Sequence, residues 1–150
     1  MTAGGAMRPE GGPQNDDPPV TVADLDLPSI PAGADSLSGL RRIVRNWVRH
    51  TGLTEQQVDD LVLGVDEAAA NVVEHAYPRT GGVLAIRARR LDDPARVEVI
   101  VADHGRWQPP GDPGNRGRGI DLIRRLADYA EIEPGDHGTV VRMTWTVPIY

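Results

Sequence analysis

The sequence of 150 residues contains no cysteine. Disulfides and cysteine-ligated metal centres are therefore excluded, and the composition suits a reducing compartment. Lysine is absent as well, so all 16 basic residues are arginine. A Walker-type phosphate loop needs G-K-[ST], so any nucleotide site must be built another way, and lysine Schiff-base chemistry is excluded. No apolar run approaches the length of a membrane span, and the first residues lack a charged-then-apolar signal pattern. A cytoplasmic location without a membrane partner is the expectation. A formal net charge of −6 argues against direct binding of nucleic acid. The length suits one domain with a sizeable core.

What is present centres on residues 66–78, DEAAANVVEHAYP. They belong to a helical pattern that begins near Thr54. Val58, Leu61, Val62, Val65, Ala69, Val72, Val73 and Ala76 recur at spacings of three and four and make one apolar stripe. Glu67 and Asn71, four apart, fall on the other side of that helix, with His75 drifting towards the flank. A carboxylate one turn from a carboxamide suits a base for a hydroxyl or water together with an oxygen ligand for a hard cation. A solvated helix face accounts for the same spacing.

Residues 1–19, rich in glycine, proline and polar side chains, read as a disordered tail, which leaves 20–150 as the domain. Residues 20–27 alternate as an edge strand, and Pro28, Pro31 and Gly33 mark a turn. Ser36 or Ser38 caps a helix whose stripe is Leu37, Leu40, Ile43, Val44, Trp47 and Val48. Arg41, Arg42, Arg45 and Arg49 lie largely off it, as a solvated face or a docking face for an acidic partner. Thr51 and Gly52 end that helix. Thr54, with Gln57 three residues on, forms a capping box for the next. Residues 83–91 read as a strand with Val83, Ala85 and Arg87 on one face. Asp92, Asp93 and Pro94 form a hairpin turn. Residues 97–102 are the strongest strand, expected to be central and antiparallel to its neighbour.

Residues 103–119, DHGRWQPPGDPGNRGRG, are too rich in glycine and proline to pack as helix or strand. They leave the sheet at a strand end and precede a helix over 120–128. The free N–H groups at that helix start favour an anion, and Arg116 and Arg118 can fork onto phosphate oxygens. A flexible surface loop is the plainer reading. The chain closes with a short strand over 129–132, a turn over 135–138, and a strand over 139–147 with Val141, Met143 and Trp145 on one face.

Taken in order, these residues resemble the GHKL, or Bergerat-fold, ATP-binding domain, and within it the small anti-sigma-factor serine kinases of the RsbW type. Glu67-x-x-x-Asn71 with His75, Ala76 and Tyr77 is similar to the family's N box. Asp103-x-Gly105 resembles the first glycine box. Gly117-Arg118-Gly119-Ile120 with Leu122 and Ile123 resembles the second, and Gly138-Thr139 the last. The resemblance covers about residues 20–147. It implies a two-layer α+β sandwich: a mixed, mainly antiparallel sheet with helices on one face.

It also implies that the protein binds ATP with Mg²⁺. Asn71 would ligate the Mg²⁺ and Glu67 would accept the proton of an attacking hydroxyl. Asp103 would accept a hydrogen bond from the adenine amino group, supported by Thr139, and Gly105 would let backbone approach the base. Residues 104–118 would form a lid, with Arg116, Gly117, Arg118, Gly119 and Ile120 at the nucleotide. His75 is a packing or supporting residue, since it and Glu74 lack further ligands at workable spacing for zinc. The first glycine box usually continues to a second glycine, and here that position is Trp107, which stacks on the nucleotide or anchors the lid on the protein. Two readings follow. One is a serine/threonine-protein kinase that phosphorylates a STAS-domain anti-anti-sigma factor and sequesters a sigma factor, as a possible homodimer. The other is a nucleotide-regulated antagonist that acts by protein binding alone. A domain separated from a larger phosphatase or sensor system, acting in trans, needs the same pocket.

Overall fold

The computed structural model describes residues 22–31, 33–71, 82–103, 113–135 and 138–149, with 34, 113–119 and 134–135 as backbone only. The elements run β1 (Leu25–Pro31), α1 (Ala34–Val48), α2 (Glu55–Asn71), β2 (Val83–Leu91), β3 (Arg96–Asp103), α3 (Pro113–Leu126), β4 (Tyr129–Gly135) and β5 (Gly138–Thr146). The five strands form one sheet in the order β1-β2-β3-β5-β4, and each neighbouring pair is antiparallel. This is the expected α+β sandwich, with β3 central and no parallel pair among the described strands.

Strand periodicity decides which face is covered. Leu84, Ile86 and Ala88 of β2, Val97, Val99 and Val101 of β3, and Val141, Met143 and Trp145 of β5 are buried on one face. The register sets them side by side: Ile86 is opposite Val101, Val99 opposite Met143, and Val97 opposite Trp145. Leu37, Leu40, Val44 and Val48 of α1 and the apolar stripe of α2 complete this core. On the other face Arg87, Arg89, Glu98 and Arg142 stand in cross-strand rows. There Glu98 accepts a 2.6 Å hydrogen bond from Arg89 Nη2 and pushes that guanidinium above its ordinary value, with burial acting against the shift. Val83, Ala85 and Arg87 do share a face, and it is this outer one.

Several boundaries differ from the sequence reading, three of them at element starts or bulges. β1 lies at 25–31, running through Pro28 and Pro31. Leu27 is opposite Ile86 and Ile30 opposite Leu84, so three steps on β1 match two on β2. The extra residue is a bulge at Pro28 and Ser29, where an edge strand loses nothing by lacking a donor. α1 begins at Ala34, before either serine, with Gly33 in the cap position and no side-chain cap bond. The N–H groups of Ser36 and Leu37 instead donate to the Gly33 carbonyl, at 3.1 and 3.2 Å. The third difference concerns 103–119, which is not devoid of helix: α3 starts at Pro113. Proline suits the first helical position because its fixed φ is already helical and no N–H is needed there. The glycines that follow cost about 1 kcal/mol each in a helix, which packing against α2 offsets. α3 also ends at Leu126, two residues before the expected stop, and β4 extends three residues past the expected 132. β5 is an interior strand, leaving β4 as the edge. The expected tail over 1–19 lies outside the described residues.

The capping box is present as read. Thr54 N–H donates to Gln57 Oε1 at 2.9 Å, and Gln57 N–H donates back to Thr54 Oγ1 at 3.1 Å. Trp145 ties the helical layer to the sheet. Its ring lies under α2, and its Nε1–H donates to the Leu126 carbonyl at 2.9 Å, satisfying an orphan acceptor at the end of α3. Trp145→Phe keeps an aromatic ring but leaves that carbonyl unpaired. The expected loss is about 1–2 kcal/mol in urea unfolding at unchanged m-value.

Candidate functional site

Two polar side chains are buried where β3 and β5 meet. Ala102 is opposite Val140, so Asp103 and Thr139 stand one residue further along their strands, on the covered face. They are 5% and 7% exposed. A carboxylate and a hydroxyl side by side in an apolar layer need hydrogen-bonding partners and offer a directional contact to a polar ligand edge. Leu84 lies opposite Asp103 on β2 and walls the other side.

Glu67 and Asn71 come from the last turns of α2, one helical turn apart. Both are partly buried, so they sit on the flank of the helix rather than on a solvated face opposite the core. The sequence places Gly64 one turn before Ala68, and both are buried on the side that meets the sheet. A side chain added at Gly64 would stand 3.2 Å from Met143 Sδ and 3.4 Å from the Trp145 ring. The missing Cβ is what lets this part of α2 lie close over β5. The sequence reading passed over Gly64, although a lone glycine inside a helical pattern is a signal of close packing.

α3 packs beside α2 and carries the backbone of Arg116, Gly117, Arg118 and Gly119 in its first half, with Ile120 partly buried. The orphan N–H groups of this helix belong to the residues after Pro113, not to Ile120 and its neighbours. Gly105 and Trp107 lie outside the described residues, as do His75, Ala76 and Tyr77. Thus Asp103 and Thr139 are brought together on the sheet, Glu67 and Asn71 together on α2, and the second glycine box onto the adjacent helix.

Residues 30–145 match the Histidine kinase-like ATPase domain family. The chain belongs to this family. It is 30% identical over 132 residues to the serine-protein kinase RsbW of Halalkalibacterium halodurans, covering 77% of this chain and 79% of that protein. It is 33% identical over 131 residues to the RsbW of Bacillus cereus strain AH187, covering 77% and 80%. A crystal structure of the RsbU and RsbW domains of Rv1364c from Mycobacterium tuberculosis shares the fold at a TM-score of 0.68 and 24% identity. That likeness covers 83% of this chain and 32% of the larger one. A family ATPase domain therefore occupies nearly all of the described chain, and the paired residues above fall inside it.

Gly64→Val tests whether the close approach of α2 matters. The expected outcome is a stability loss of about 2 kcal/mol from overpacking against Met143 and Trp145, measured by urea unfolding.

Proposed function

We propose that this chain is a Mg·ATP-dependent serine/threonine-protein kinase that phosphorylates a STAS-domain anti-anti-sigma factor and holds a sigma factor. The observation that carries this reading is the buried pair Asp103 and Thr139 at one end of the sheet. Identities of 30% and 33% to proteins named serine-protein kinase support the choice of activity.

A buried carboxylate beside a buried hydroxyl fits the amino edge of adenine, with Asp103 accepting from the exocyclic amine and Thr139 supporting the contact. Among the described residues no cluster of three or more acidic or histidine side chains exists to hold a cation alone. A hard cation here fits one protein oxygen, the Asn71 amide, with phosphate oxygens and water as the remaining ligands, which is the usual habit of Mg²⁺ at nucleotides. Mg·ATP, when bound, supplies the phosphoryl group. Glu67, one turn before Asn71, takes the proton of the attacking serine hydroxyl. Phosphate meets the free N–H groups that follow Pro113, Gly117 and Gly119 leave the helix surface beside it without side chains, and Arg116 and Arg118 balance its charge. Gly105, Trp107 and Ile120 complete the nucleotide's surroundings in this reading.

Asn71→Ala is expected to weaken Mg²⁺-dependent ATP binding at least about tenfold in titration calorimetry, by removing a charge-oriented oxygen ligand. Glu67→Gln is expected to leave ATP binding intact and to lower phosphoserine formation on a purified STAS partner by about 10²–10⁴-fold. Unchanged transfer by Glu67→Gln would rule out the carboxylate as the base. Trp107, standing where the family pattern has a glycine, favours a second reading: an antagonist that binds nucleotide and partner without transfer. Stoichiometric phosphoserine on the partner eliminates it.

A further inference from the structure

Among the described residues, two ion pairs join α1 to α2. Arg45 Nη1 lies 2.9 Å from Asp59 Oδ1, and Arg41 Nε lies 2.6 Å from Asp66 Oδ1. Position 41 meets 66 while 45 meets 59, so the helices run antiparallel. One pair clamps the first half of α2 and the other clamps its last turns.

These two halves of α2 are packed differently. Up to Val65 the helix buries Gly64 and the branched side chains of Val58, Leu61, Val62 and Val65, which interlock with their neighbours. Beyond Val65 the buried residues are Ala68 and Ala69. Methyl groups make a smooth contact, which resists rolling of the helix poorly compared with ridges set into grooves. Directional polar contacts then weigh more in setting the helix's rotation. Asp66 immediately precedes Glu67, and successive residues are separated by a fixed 100° turn. Whatever holds Asp66 in azimuth also holds Glu67. A carboxylate rides about 6 Å from the helix axis, so a roll of roughly 10° shifts it by about 1 Å. Displacements of that size at a reacting group cost up to about 10²-fold in rate.

We infer that Arg41 and Asp66 are positioning residues that fix the roll of the α2 end and thereby aim Glu67. The inference rests on reading Glu67 as the general base. With side chains 52% and 24% exposed, the pair adds little to global stability, so its effect lies in orientation. Arg45–Asp59 is a pair of the same chemistry in the same helix interface, seven residues earlier on α2, and serves as an internal control.

The test compares Arg41→Ala, Asp66→Asn and Arg45→Ala with wild type in the full chain, by phosphoryl transfer to a STAS partner and by backbone hydrogen exchange. Arg41→Ala and Asp66→Asn are expected to lower kcat about tenfold with KM for ATP unchanged. Exchange of amides 68–71 is expected to rise about two- to fivefold in both. Arg45→Ala should do neither, and Tm should move by no more than about 2 °C in every variant. The charge swap of Arg41→Asp with Asp66→Arg should restore kcat. Equal losses in Arg45→Ala, or unchanged exchange at 68–71 in Arg41→Ala, overturn the positioning role. A wild type that forms no phosphoserine refutes the kinase reading instead, and the exchange data alone then decide whether Arg41 fixes the end of α2.

Discussion

Trp145 is the contact on which the arrangement of layers depends. It projects from β5 into the covered face, opposite Val97 of the central strand. Its ring lies against the bare backbone of α2 at Gly64, and its N–H takes up a carbonyl at the end of α3. One side chain thus sets the height of one helix and the end point of another. A large rigid ring is suited to this because it brings much apolar area with few rotamers, and its polar edge asks for a single acceptor. Asp128 reinforces the same corner: its N–H donates to the Thr144 carbonyl at 3.0 Å, and its Oδ2 accepts from Thr146 N–H at 2.7 Å.

The candidate site inherits two kinds of support from this scheme. Asp103 and Thr139 are held by the ladder itself, where every neighbouring residue of β3 is paired on both sides. Such residues cannot shift without breaking register. Glu67 and Asn71 depend instead on how a helix lies across the sheet. In the proposed reading, recognition of a ligand falls to the stiffer layer, and chemistry to the layer whose placement rests on small residues and ion pairs. A partner that approaches the helices therefore meets the more adjustable half of the site.

Much of this was legible in the residues, for identifiable reasons. The strand at 83–91 and the capping box at Thr54 and Gln57 are specified locally, by alternation and by reciprocal hydrogen bonds, and both came out as read. So did the apolar stripes of the helices over the described residues, apart from Ile43, which is 44% exposed; Val72, Val73 and Ala76 lie outside them. The misreadings at β1 and α3 share a cause. Proline and glycine read locally as breakers, yet proline costs nothing at an edge bulge or at the first position of a helix. Packing against α2 supplied what local propensity withheld from α3. The pairing of Asp103 with Thr139 could be reached from sequence through family resemblance only, because it follows from a register linking strands 36 positions apart in the chain. Gly64 shows the opposite case, a signal present in the sequence whose meaning needed the ring beneath it.

The bulge in β1 has a bearing on how this protein behaves among copies of itself. An outer strand offers a row of unused main-chain donors and acceptors to any passing extended chain. In β1, Pro28 and Pro31 each remove a donor, and the extra residue between Leu27 and Ile30 breaks the two-residue rhythm that a newcomer would need to match. Among the described residues, sheet growth on that side is limited by the strand's own covalent chemistry, without a capping helix. The two-layer build thus carries one edge whose own backbone disfavours pairing with another copy of the chain.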